Sequence, residues 1–177
     1  MKRSFLSVAA LAAVALTATT TSAQSTKPIS LGISLGATIP AGELGNDYKT
    51  GYNGTVSLGL NSTGSPVGFR IDGMYNKLSS KDNFSLPDVI ITSANANLVY
   101  ALPGVGIRPY LIGGAGIYGL KRDVSGANTE SDFGLNGGIG AAFPLSGFTT
   151  FIEARYHHIF TEGYATQFVP VTFGISL

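Results

Sequence analysis

The chain lacks cysteine and tryptophan altogether, and only 12% of its 177 residues are charged. The absence of cysteine excludes disulfides, thiolate metal sites, catalytic thiols and lipid-anchored cysteines. The charged fraction is about half of the roughly 25% found in soluble domains. The formal net charge is +1, and the absence of a Lys/Arg cluster argues against nucleic-acid binding. So few charges leave little polar material to cover a surface in water.

The composition is rich in glycine and apolar residues instead of charged ones. The sequence contains 24 glycines and is 44% hydrophobic, whereas glycine averages about 7% in ordinary proteins. The apolar content is too high for a disordered chain, and the length accommodates one domain. The fold must therefore place a large apolar surface with little charge around it.

The N-terminal segment has the features of a secretory signal peptide. Lys2 and Arg3 precede an apolar run over residues 5–18, and small residues follow before a cleavage point at Ala23. An uncleaved membrane anchor is the alternative, but a spanning helix needs about 20 apolar residues and this run is shorter. We therefore expect residues 1–23 to be removed and residues 24–177 to form the folded domain.

Apolar and polar residues alternate with period two throughout the rest of the chain, which is typical of β-strands. The even number of segments, most of them near the roughly 9–11 residues of a tilted transmembrane strand, favours a closed barrel. In the fifth segment both faces are apolar or glycine, so its register stays open. We predict an all-β fold, an eight-stranded antiparallel up-and-down transmembrane β-barrel. The eight segments are residues 29–39, 52–60, 67–76, 90–102, 107–120, 132–143, 148–160 and 169–177.

The face opposite the apolar one is rich in Gly, Ser, Thr and Asn and poor in Lys and Glu. A barrel whose polar face met water would carry more charge. Small residues suit the crowded interior of an eight-stranded barrel instead. We therefore expect the apolar face to contact lipid and the polar face to line a narrow lumen. A secreted lipocalin-like ligand-binding barrel, with the apolar face inside, is the alternative.

Two pairs of opposite charges lie in the middle of predicted strands. Arg70 and Asp72 are on the polar face of the third strand, and Glu153 and Arg155 are on that of the seventh. Charges inside a membrane barrel must be paired or hydrated. We predict that these four residues form one ion-pair network in a mostly plugged lumen. A small-conductance channel through the same residues is the alternative.

Aromatic residues fall near both ends of the predicted strands, as in the interfacial belts of membrane barrels. The belt predicted at one end consists of Tyr52, Tyr75, Tyr118, Phe133, Tyr156 and Phe160. The belt predicted at the other end consists of Phe69, Tyr100, Tyr110, Phe143, Phe148 and Phe173.

Long and short connections alternate along the chain. The long ones, residues 40–51, 79–88 and 121–131, hold most of the charges outside the strands. The short ones, residues 61–66, 103–106 and 144–147, consist of turn residues. A further connection is predicted at residues 161–166. The charged connections should therefore gather at one end of the barrel, here called the loop end, and the short ones at the opposite turn end.

The signal peptide, the eight amphipathic strands and the final strand Val169–Leu177 together resemble the small OmpA/OmpX-type outer-membrane β-barrels. The stretches RPYLIGGAG at residues 108–116 and FIEARYHH at residues 151–158 are similar to segments common in that superfamily. The resemblance implies a bacterial outer-membrane location with both termini periplasmic, and insertion by the barrel assembly machinery. Many members end in Phe, whereas this chain ends in Leu177.

The same resemblance implies a structural or surface-interaction role. Its partners would be outer-membrane lipid and an extracellular partner bound through residues 40–51, 79–88 and 121–131, with the protein a monomer that binds no nucleic acid.

The sequence offers little catalytic or metal-binding chemistry. His157 and His158 are adjacent, so they point to opposite faces of a strand and cannot share a metal. Glu153 and His157 lie on one face, which makes an acyl-hydrolase triad conceivable, but no Gly-x-Ser-x-Gly elbow is present. We expect no enzymatic activity, no cofactor and no metal.

Overall fold

The computed structural model describes residues 28–61, 65–81, 86–124, 126, 128–161 and 164–177. The predicted signal peptide, residues 1–23, lies outside the described residues. Eight strands account for most of the rest, with one short helix, α1 (Leu44–Asp47), in the first connection. The strands are β1 (Ile29–Ala41), β2 (Gly51–Asn61), β3 (Val67–Leu78), β4 (Val89–Ala101), β5 (Arg108–Arg122), β6 (Glu130–Pro144), β7 (Thr149–Thr161) and β8 (Tyr164–Ser176).

The strands close into a barrel in sequence order. Each strand pairs antiparallel with the next, and β8 returns to pair with β1 through contacts such as Ile33 opposite Ile175. The predicted eight-stranded antiparallel up-and-down barrel is therefore confirmed. Within the described residues, no helix has the length and apolar content needed to cross a membrane.

The two faces of the barrel differ in the way that the alternation predicts. Large apolar side chains point outward, so that Leu35 is 69% exposed and Ile139 is 63% exposed. Polar side chains such as Asn53 and Asn97 point inward and are buried. A water-soluble barrel would reverse this arrangement. The lipocalin-like alternative, with its apolar face inside, is therefore wrong.

The last strand begins earlier than its alternation suggests. β8 starts at Tyr164 rather than at Val169, so most of the connection predicted at residues 161–166 belongs to strands, and residues 162–163 lie outside the described residues. The predicted strand is too short because polar Gln167 interrupts the apolar outward face in the sequence. In the barrel Thr166 lies buried in the lumen and Gln167 pairs with Ala41 of β1. The last strand is therefore as long as its neighbour β7.

The predicted aromatic belts are wrong at two positions. Tyr110 and Tyr118 are 7% and 0% exposed, and both point into the lumen. The error arises in β5, where apolar residues or glycine occupy both faces and alternation could not fix the register. The structure places Leu111 and Ile117 on the outward face instead.

The other belt residues lie on the outward face. Large exposed rings near the loop end are Tyr52, Tyr75, Phe133, Tyr156 and Phe160. Near the turn end they are Phe69, Tyr100, Phe148 and Phe173, and Phe143 is partly buried. Phe133 and Phe160 stack with their ring centroids 6.2 Å apart.

Pro170 interrupts one ladder without changing its register. On the β1 side it pairs with Thr38 as an ordinary strand residue. On the β7 side the pairing stops after Ala154–Val171 and resumes in the same register at His157–Phe168. A missing N–H removes a ladder hydrogen bond, so this stretch of the β7–β8 seam is held by fewer backbone bonds.

Glycine permits the closest contacts between strands at inward positions. A Cβ on Gly138 would lie 2.1 Å from the carbonyl oxygen of Ala154 and 2.7 Å from the Cα of Arg155. A Cβ on the neighbouring Gly137, which faces outward, would have only the carbonyl oxygen of Ile112 near it, at 3.9 Å. Only the inward glycine is therefore required by packing.

We predict that Gly138→Ala lowers the yield of folded barrel, whereas Gly137→Ala leaves it unchanged. The added methyl of the first variant collides with backbone of β7, and that of the second enters open space. The measurement is the fraction of refolded protein that shows heat-modifiable gel mobility in detergent. Equal folded fractions for the two variants would contradict the packing argument.

Candidate functional site

Arg70, Asp72, Glu153 and Arg155 meet in the middle of the lumen. Each arginine contacts both carboxylates, which gives a closed ring of four ion pairs. Arg70 lies 3.0 Å from Asp72 and 2.8 Å from Glu153. Arg155 lies 2.7 Å from Asp72 and 2.9 Å from Glu153. The charges balance within this set, which we call the lumen network.

The network crosses the whole width of the barrel. Three strands separate β3 from β7 in either direction around the closed sheet, so the two strands stand opposite each other. Arg70 and Asp72 extend from β3, and Glu153 and Arg155 extend from β7. The ion pairs therefore bridge the lumen along a diameter.

Two neutral side chains complete the network. The Tyr110 hydroxyl on β5 donates a hydrogen bond of 2.7 Å to Oε2 of Glu153. The Asn97 amide on β4 donates one of 2.9 Å to Oδ2 of Asp72. Hydrogen bonds to charged groups are among the stronger ones in proteins, and buried carboxylates need them. The sequence does not reveal either residue, because alternation predicts that Tyr110 faces lipid and nothing distinguishes Asn97 from the other lumen asparagines.

An apolar cluster fills the lumen closer to the loop end. Its buried members come from β3, β4, β5, β7 and β8, and partly buried Leu44, Tyr48 and Leu120 pack against it from above. An apolar plug of this kind excludes water and ions from the space that it fills. The buried members are Met74, Leu78, Val89, Ile91, Tyr118, Ile159 and Phe168.

The two histidines point in opposite directions, as their adjacency requires. His157 is fully buried. Its Nδ1 and the Tyr118 hydroxyl share a hydrogen bond of 2.8 Å. Its ring stacks on that of Phe168, with the ring centroids 4.8 Å apart. His158 faces outward, 3.3 Å from the amide nitrogen of Gln167. Among the residues that the structure describes, no group of three or more acidic, His or Cys side chains is placed to hold a metal ion.

Glu153 and His157 share a face but do not form a catalytic pair. The carboxylate of Glu153 is engaged by both arginines and by Tyr110. The Nδ1 of His157 contacts Tyr118 instead of Glu153. A general base needs a partner that orients its ring toward a substrate, and this histidine is enclosed within the apolar plug.

The lumen network and the plug lie between two separate cavities. At the turn end a cavity of about 340 Å³ is bordered by Arg70, Tyr110 and Phe151. At the loop end a cavity of about 800 Å³ is bordered by Leu44, Tyr48 and Leu120. The two cavities share no lining residue. Among the described residues, these two cavities are therefore separate.

We predict that Glu153→Gln lowers the free energy of unfolding by roughly 3 kcal/mol, because it leaves buried Arg155 and half-buried Arg70 sharing one carboxylate. Arg70→Gln should cost less, since this side chain borders the turn-end cavity and is partly exposed. The measurement is the guanidinium unfolding midpoint in detergent micelles. Arg108→Gln is the control, because Arg108 forms no ion pair with a described residue. Unchanged midpoints for both network variants would rule out a stabilising role.

Comparison with solved structures reveals the same architecture in several proteins. Neisserial surface protein A matches with a TM-score of 0.71 and 16% identity over 85% of this chain and 96% of that chain. The N-terminal β-barrel domain of Pseudomonas aeruginosa OprF matches with a TM-score of 0.50 and 14% identity, over 84% and 97% of the two chains. The outer membrane enzyme PagL matches with a TM-score of 0.53 and 17% identity, over 84% and 98%. At these identities the likeness concerns the fold alone.

The family to which the chain belongs is established by its sequence. A search of curated proteins finds no significant match. A family model described as "Outer membrane protein beta-barrel domain" matches residues 7–176, which is nearly the whole chain. Together with the closed barrel and its apolar outer face, this match places the protein in the bacterial outer membrane. The chain belongs to the outer membrane protein beta-barrel domain family.

Proposed function

We propose that the protein is a sealed outer-membrane barrel that serves as a rigid scaffold for the connections at its loop end. The observation that carries this proposal is the lumen network, which spans the barrel from β3 to β7. A conducting pore needs a continuous hydrated path, and here the path would have to pass between paired, nearly buried charges. The role is then structural or one of surface interaction.

A second closure lies above the first. The apolar plug around Phe168 and Ile159 occupies the lumen between the network and the loop end. An ion that passed the network would next meet a mainly apolar region, where it would lose much of its hydration at high cost. Two closures of different chemistry support a sealed lumen better than either alone.

The loop-end connections support one another. The backbone N–H of Lys49 bonds to the carbonyl of Ser79 at 2.8 Å, and that of Lys81 bonds to the carbonyl of Asp47 at 2.8 Å. The Lys81 ammonium also reaches the carbonyl of Gly45 at 2.6 Å. The first and second connections are thus joined into one platform, which is the part of the molecule best suited to bind an extracellular partner.

The proposal includes the processing, the orientation and the insertion of the protein in the cell. The mature chain starts after Ala23, both termini lie in the periplasm, and the barrel assembly machinery inserts the protein as a monomer. The protein has no catalytic activity, since Glu153 and His157 are committed to other partners. The outer membrane enzyme PagL shares the barrel, so the fold alone does not decide this point and the side chains carry the argument.

We predict that the refolded wild-type protein gives no measurable current in a planar lipid bilayer. Phe168→Ala alone should stay closed, because the network still blocks the lumen. The combination of Phe168→Ala with Arg70→Ala and Glu153→Ala should conduct. Phe160→Ala on the outward face is the control. Steady channels from the wild type would favour the small-conductance channel over the sealed scaffold.

We predict that a cysteine at Asn46 is labelled by a membrane-impermeant maleimide on intact cells, whereas a cysteine at Ser146 is not. Both positions are exposed, one in α1 at the loop end and the other in the turn between β6 and β7. The chain has no cysteine of its own, so each variant carries one label site. The reverse labelling pattern would refute the proposed orientation.

A further inference from the structure

Among the described side chains, Arg108 is the one charged group at the turn end that lies outside the lumen network. It is the first residue of β5 and shares the inward face of that strand with Tyr110. Arg108 forms no ion pair with a described residue, so its charge is not balanced by an acidic side chain at its own end. The described acidic side chains outside the network all lie at the loop end, and they are Glu43, Asp47, Asp88, Asp123, Glu130 and Asp132.

The carboxyl group of Leu177 lies on the far side of the barrel mouth from Arg108. Its oxygen accepts a hydrogen bond of 3.1 Å from the N–H of Leu31, where β8 meets β1. Three strands separate β1 from β5 in either direction around the closed sheet, so the two strands stand opposite each other. Leu177 forms no ion pair with a described residue. This carboxylate therefore leaves the Arg108 guanidinium free to receive another anion.

Arg70 supplies further donors at the floor of the turn-end cavity. Its ion pairs with the network carboxylates use Nε and Nη2, and no acceptor among the described residues contacts Nη1. The Arg70 side chain is 14% exposed and borders the cavity together with Arg108 and Tyr110. Arg70 and the Tyr110 hydroxyl both contact Glu153, and Arg108 lies about 7 Å from Tyr110 along β5. Two guanidinium groups therefore border the same cavity.

The wall of this cavity is apolar on the side of Arg108 and carries hydroxyl groups on the opposite side. Val99, Ala142 and Phe151 form the apolar part, and Ala142 is the register partner of Arg108. The volume of about 340 Å³ is at the lower end of the roughly 300–1,000 Å³ of small-molecule sites. The cavity therefore suits a small ligand that has both an anionic and an apolar part. The serines on the opposite wall are Ser30, Ser57 and Ser176.

We propose that the turn-end cavity binds a small organic carboxylate, with the carboxylate between Arg108 and Arg70 and the apolar body against Val99 and Phe151. A guanidinium matches a carboxylate with two parallel hydrogen bonds. Because the lumen network is balanced, Arg108 contributes one uncompensated positive charge, which a single carboxylate neutralises. A phosphate monoester carries about −1.5 to −2 at neutral pH and fits this charge less well.

The site is closed at its inner end, because the lumen network lies beneath it. A ligand therefore enters and leaves on the side that the turn end faces. The identity of that compartment rests on the orientation proposed above. Binding itself does not, so the two proposals can fail separately.

The test uses the folded full-length barrel in nonionic detergent, with 4-fluorophenylacetate as the probe and protein-free micelles as the blank for fluorine NMR titrations. We expect saturable binding by the wild type. Arg108→Gln should lower the association constant by about tenfold or more, since it removes hydrogen bonds to a charged group. Arg108→Lys should lower it less, because an ammonium keeps the charge without the paired donors. Arg122→Gln, an exposed arginine at the loop end of the same strand, is the matched control and should bind as wild type.

Two further probes separate recognition of the charge from partition into detergent. The uncharged 4-fluorophenylacetamide should show no saturable binding, and 4-fluorophenyl phosphate should bind more weakly than the carboxylate. Arg108→Gln should keep the unfolding midpoint of the wild type, since it breaks no ion pair with a described residue, so lost binding would not reflect lost structure. Equal association constants for the wild type and Arg108→Gln, or for the acid and its amide, would overturn the proposal. Tighter binding of the phosphate would overturn the assignment to carboxylates.

Discussion

Closure of the backbone hydrogen-bond ladder is the constraint on which the rest of this structure depends. Hydrocarbon offers no partners for N–H and C=O groups, so a sheet within it must have no edge. The eight strands meet this condition by returning β8 to β1. Closure also gives every strand one face toward the lumen and one toward lipid. Because side chains alternate along a strand, each residue then lies on one of these two faces. Even Pro170, which cannot donate to the ladder, is accommodated without a shift of register.

A circle of eight strands encloses little space, and the contents of the lumen follow from that limit. Glycine at Gly138 lets two strands approach more closely than any other residue would allow. A charge-balanced network lies near the middle of the lumen, and an apolar plug lies above it. The paired charges leave no open path through the middle of the lumen, and the apolar layer excludes water and ions. The two layers lie only a few residues apart along the strands.

Much of this arrangement could be predicted from the sequence because alternation reports directly on closure. The strand count and the common face of residues such as Phe133 follow from period two, and the low charge of the polar face decides which face meets lipid. Alternation fails where both faces have the same character. Period two therefore does not place Tyr110 and Tyr118 in the lumen, and it does not extend β8 past the outward polar residue Gln167.

The residues of the lumen network could likewise be predicted only in part from the sequence. Strand registers that bring Arg70 and Asp72 opposite Glu153 and Arg155 depend on heights set by shear around the whole barrel, which no local pattern encodes. The spacing of the charges suggested a network, but its geometry required the closed structure. The contribution of Tyr110 was hidden by the register of β5, and the plug was hidden because its members come from five different strands.

The span of the network also bears on the order in which the barrel can form. Its cross-lumen contacts join residues 83 positions apart, from Arg70 to Glu153 and from Asp72 to Arg155. Contacts of such long range form late, since the intervening chain must first be ordered. Until β7 is in place, Arg70 and Asp72 on β3 have only each other and Asn97 of β4 as partners, so water must supply the remaining contacts. An unfinished barrel is therefore wet along its open side, and the arrival of β7 converts it into a sealed one.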